Sequence, residues 1–133
     1  MTIGLLAGYA LPMPGQLTEH TYAVSGHNHT WPCRGRSQGG RRVCSGMGNT
    51  SEADCLAQPN SQAGIAYLTT GVCHQIANRI LYPAGVMVSS ALGARASFRW
   101  WGIYGLERGT LRHYSPSSLP WPELLSCRGH SHP

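Results

Sequence analysis

Glycine and proline, 17 and 9 of 133 residues, recur so often that they limit what this chain can build. Neither is tolerated inside a helix: glycine gives up the most backbone freedom, and proline lacks an N–H and clashes with the preceding turn. A helical bundle is therefore disfavoured and a loop-rich fold expected. The length suits a single domain over 1–133 with one core. Hydrophobic residues make up 41% and charged residues only 11%, so Gly, Ser, Thr, Asn, Gln, Pro and Arg must cover the surface in place of ion pairs.

Between the breaks, the clearest periodic stretch runs from Val72 to Leu81. Ile76, Ala77, Ile80 and Leu81 define one helical face, and Pro83 and Gly85 stop the helix. "TSEADCLAQ" (50–58) predicts a short helix ending before Pro59, with Thr50 or Ser51 as N-cap and acids in its first turn. "TYAVSG" (21–26) and "RRVCS" (41–45) read as strands, and 26–50 as an irregular region or a hairpin with "SQGG" at its tip. "AGIAYLTTG" (63–71) fits a strand or the lead-in to the next helix. "GVMVSSA" and "ASFRWWGIYG" read as an antiparallel strand pair separated by "LGAR", with Phe98, Trp100 and Tyr104 on one face. The proline-rich stretch 115–133 is expected to be an irregular tail. The fold class that follows is α+β: a small antiparallel sheet with a central helix beginning at Cys73.

No stretch reaches 18 apolar residues, so no membrane span is expected. The opening "MTIGLLAGYALPMPGQL" lacks a basic n-region and a small-x-small cleavage site, so it reads as structural; export, if it occurs, would use another route.

All ten basic side chains are arginine, against five acids, for a net charge of +5. Arg34, Arg36, Arg41 and Arg42 lie near Trp31 in a glycine-rich setting, a mixture that can grip phosphates and stack on bases. No phosphate-binding or dinucleotide fingerprint accompanies them. Five cysteines are an odd number, leaving at least one thiol unpaired within a monomer. Cys33, Cys44 and Cys55 stand eleven apart, too widely for the close knuckle pairs of structural zinc, so neither metal nor cofactor is expected. A disulfide among these three is the simpler reading, and Cys33 to Cys44 the simplest pairing. "NHT" (28–30) and "NTS" (49–51) match the glycosylation pattern.

"GVCHQIANRIL" places Cys73 in the first turn of the predicted helix, on the side of Ile76, Ala77 and Ile80. First-turn N–H groups favour a thiolate and can stabilise an oxyanion. Cys73 is then either a packed core thiol or a nucleophile, and a nucleophile needs a base. His27 and His29 follow a predicted strand and share a side if it continues; His74 points about 100° away from Cys73 around the helix. A cysteine opening a helix that packs on an antiparallel sheet, with a histidine on a strand, resembles the papain-like cysteine hydrolases of the NlpC/P60 type. Because these histidines precede the cysteine, the order resembles the circularly permuted branch. That resemblance implies Cys73 as nucleophile and His29 or His27 as base, with His113 as the base in the unpermuted order, and a thiol hydrolase cleaving an amide bond in peptide or peptidoglycan. Such a small protein would suit a toxin or effector. The alternative is a non-enzymatic module, stabilised by disulfides, whose arginines bind an anionic partner such as nucleic acid.

Overall fold

The computed structural model describes residues 2–26, 30–31 and 37–106. Four antiparallel strands, β1 (Ile3–Pro12), β2 (Glu19–Ser25), β3 (Thr30–Trp31) and β4 (Arg41–Asn49), form one sheet in the order β3-β2-β1-β4. Among the described residues three α-helices follow, α1 (Thr50–Ala57), α2 (Cys73–Leu81) and α3 (Ala94–Trp101), with short 3-10 turns at Pro59–Ser61 and Tyr82–Ala84. Among the described residues no helix is long and apolar enough to cross a membrane. The fold is thus α+β, with a small antiparallel sheet and a helix that starts at Cys73.

Every residue of α2 is buried, which makes it the centre of the core. Ile76, Ala77, Ile80 and Leu81 join Leu6, Ala23, Trp31, Ile65 and Val88 in one apolar cluster. The sheet meets this layer through small residues. A Cβ on Gly8 would strike Val88 at 2.5 Å, and one on Gly48 would strike the backbone of Pro83 and Ala84 at 2.8 Å. These glycines let α2 and the turn after it lie directly on β1 and β4.

The apolar opening, read as structural, is an inner strand, β1, flanked by β2 and β4. Several other expectations are corrected here. Strand β4 pairs with β1, and no hairpin tipped by "SQGG" joins it to β3. Residues 96–105 were expected to be a strand, and 94–101 instead form α3. Ala94, Ser97 and Phe98 turn inward while Arg95, Ala96, Arg99 and Trp100 are exposed, a helical period that outweighs the strand propensity of the aromatics. "GVMVSSA" has no regular structure; Val88 is buried and its N–H donates to Asn78 Oδ1 at 2.8 Å. The α1 N-cap is Asn49, whose Oδ1 accepts from the Glu52 N–H at 3.1 Å, so neither Thr50 nor Ser51 caps. Cys44 and Cys73 are thiols while Cys55 is disulfide-bonded, so the Cys33 to Cys44 pairing does not form. Residues 115–133 lie outside the described residues.

Candidate active site

A cleft of about 590 Å3 opens where α2 begins. Its floor is Val72, Cys73 and His74; Ala96, Ser97 and Trp101 of α3 form one wall, and Glu19 and His20 of β2 another. Cys73 is the first residue of α2 and only 6% exposed, with the little it exposes turned to this cleft.

A buried polar network fixes the start of the helix. Val72 has no polar side chain with which to cap, and the Gln75 side chain substitutes by accepting from the Val72 N–H at 3.0 Å. Gln75 Nε2 donates to Ser97 Oγ at 3.0 Å and to the Gly102 carbonyl at 2.9 Å. His74 spans the other direction. Its Nε2 lies 2.9 Å from the Glu19 carbonyl, and because a carbonyl only accepts, this nitrogen carries a proton. Its Nδ1 sits 3.2 Å from Ser97 Oγ. The first turn of α2 is thereby tied to β2 and α3 by buried side chains.

Glu19 is the second hub. Its carboxylate takes both guanidinium nitrogens of Arg41 and the Leu92 N–H, the last at 2.7 Å. The Arg41 hydrogen bonds first, and then that from Leu92, hold the Glu19 carboxyl below the usual carboxylate range.

His20 is the imidazole the sequence reading passed over. In β2 the alternation of "EHTYAVS" puts it on the side of Tyr22, on whose ring it stacks at 6.1 Å, while Thr21 and Ala23 face the opposite way. Ala23 packs on α2, so this alternation turns His20 to the other face of the sheet, and it borders the cleft only at the N-terminal end of the strand, next to the 13–18 loop that supplies Met13, Gln16 and Thr18. Beginning the predicted strand at Glu19 rather than Thr21 would have exposed this signal.

The other candidates fall differently. His27, His29 and His113 lie outside the described residues, as do Arg34 and Arg36. His74 adjoins Cys73 but has both ring nitrogens engaged in the buried network. Arg41 is committed to Glu19, while Arg42 is exposed on β4. Among the described residues no group of three or more His, Cys, Asp or Glu could hold a metal ion. No family model matches the chain, and no curated protein or solved structure matches it.

Proposed function

We propose that the protein is a thiol hydrolase in which Cys73 attacks an acyl carbon, an amide in peptide or peptidoglycan being the substrate class carried from the sequence, and His20 serves as general base. The observation that carries this reading is that a first-turn helix thiol and an imidazole line one cleft. His20 takes the thiol proton as sulfur bonds to the carbonyl carbon, and returns it to the leaving nitrogen as the C–N bond breaks. Water, deprotonated by the same imidazole, then splits the thioester and regenerates the thiol. Charge on the oxygen in each tetrahedral intermediate is favoured at a helix start, where N–H groups and the helix dipole present positive potential. His74, Gln75 and Ser97 hold Cys73 in place and take no proton in this scheme.

The arginine-rich binding module has less to support it. Arg41 already has a carboxylate partner, and two of the four arginines invoked for it are not described.

The test is hydrolysis of small peptide amides and muropeptides by the full chain and by Cys73→Ala and His20→Ala. Each variant should lose activity by a factor of about 1,000 or more, and the double variant should lose little beyond either, since the two groups act as a unit. Activity that survives Cys73→Ala would overturn the reading, and activity that survives His20→Ala alone would move the base to another histidine.

A further inference from the structure

The mouth of the cleft carries a second feature that catalysis does not use. Leu17 is 91% exposed, Trp100 72%, Leu68 66% and Leu92 61%. Water-facing apolar side chains are ordinary when scattered and informative when gathered. These are gathered. Leu68 lines the cleft, and the other three each adjoin a lining residue: Leu17 lies between Gln16 and Thr18, Leu92 precedes Gly93, and Trp100 precedes Trp101. The space beside Gly93 is filled by Thr18, and the Glu19 N–H donates to the Leu92 carbonyl at 2.8 Å, so the 13–18 loop and residue 92 lie side by side. The rings of Trp100 and Trp101 meet edge to face at 6.3 Å.

Charge borders this apolar rim with one sign. Arg95 and Arg99 stand one turn apart on the exposed side of α3, with Ala96 and Trp100. The helix has no acid, neither arginine forms an ion pair with a described residue, and the whole chain carries +5.

We infer that this face docks the protein on an anionic lipid surface, with the cleft opening toward the membrane. Leucines at the rim gain by entering the acyl boundary, tryptophan prefers the headgroup region, and arginines are attracted to anionic headgroups. Nucleic acid would use the arginines but would find aliphatic leucines where bases need flat rings to stack on. A second copy meeting the same face symmetrically would set arginine against arginine. The inference does not rest on Cys73 being a nucleophile.

The experiment is flotation of the full chain with vesicles of phosphatidylcholine, and with vesicles of phosphatidylcholine mixed with an equal part of phosphatidylglycerol. Binding is expected to the anionic vesicles and not to the neutral ones. Arg95→Gln with Arg99→Gln, and separately Leu17→Ser with Leu92→Ser, should each weaken it roughly tenfold or more. Far-UV circular dichroism checks that these surface variants fold, and Cys73→Ala should bind like the parent, which separates this result from the reaction. No binding to anionic vesicles, equal binding to neutral ones, or binding unchanged in both double variants would overturn the inference. So would an oligonucleotide that occupies the same arginines with higher affinity than the vesicles.

Discussion

Cys73 was visible in the sequence because helix periodicity and the glycine before it fix its position, and no tertiary information is needed to place a residue in a first turn. The two residues after it, His74 and Gln75, were not legible in the same way. Only the packing reveals that His74 and Gln75 are spent on bonds to β2 and α3. Arg79 is a further case. Its position suggests a solvated charge, yet it is 4% exposed and donates to the carbonyls of Ala63, Tyr104 and Leu106. Replacing Arg79 with Met keeps most of the apolar stem but strands these acceptors, and should lower the unfolding free energy by about 3 kcal/mol. Urea unfolding at pH 7 measures this. The two thiols should also separate chemically. Cys73 is the more buried of the two, but burial pushes the Cys44 thiol up while Cys73 lies in the first turn of α2 beside the cleft. If thiolate character outweighs exposure, alkylation of the native protein near pH 7, mapped by mass spectrometry, should modify Cys73 first.

Elements were read correctly where a single local signal decided them. α2 had its period and its stop signals, and β2 had its alternation. α3 failed because two local signals competed. Aromatic residues raise strand propensity, and the helical spacing of Ala94, Ser97 and Phe98 becomes decisive only once α2 and the sheet offer a surface for that face to cover. β4 could not be paired by inspection, since its partner β1 lies across the intervening β2 and β3. Caps are local again. Asn49→Ala should cost about 1 kcal/mol of stability through loss of the bond to the Glu52 N–H, with the cleft unaffected. Glycosylation at the "NTS" sequon would compete for the same side chain.

The β2 to β4 tie through Glu19 and Arg41 carries a pH dependence with a definite sign. Because the folded carboxyl titrates below its ordinary value, its ionised form is the one the fold favours. The stability it contributes is fully present above the unfolded carboxylate pKa of about 4.3 and is lost as pH falls through the lower folded value. Glu19→Gln should therefore be less stable than the parent at pH 7, and the gap should narrow as pH falls below about 4. Denaturant titrations at pH 7 and in acid compare the two directly. An unchanged gap would mean that the loss comes from packing and not from charge.

At the scale of the whole molecule, the cleft exists because three elements remote in sequence are bolted together behind it. Sheet, α2 and α3 meet at the His74, Gln75 and Ser97 cluster, and each bond there is shielded from water, so none can be exchanged for a solvent bond without opening the structure. Gln75 is fully buried and holds three groups at once: the Val72 N–H, Ser97 Oγ and the Gly102 carbonyl. Gln75→Leu keeps the volume nearly constant but leaves the Val72 donor and the Gly102 acceptor without this partner. A loss of about 2 to 4 kcal/mol is expected, since one buried unmet group costs about 1–3 kcal/mol. The loss should not be spread evenly. Hydrogen exchange should quicken across 94–102 and in the first turn of α2 while β1 and β4 keep their protection, because the sheet seam at Gly8 and Gly48 does not depend on this cluster. Exchange that rises uniformly over the chain would show that the cluster supports the whole fold. Localised exchange, together with slower alkylation of Cys73 than Asn49→Ala produces, would assign it to holding the cleft.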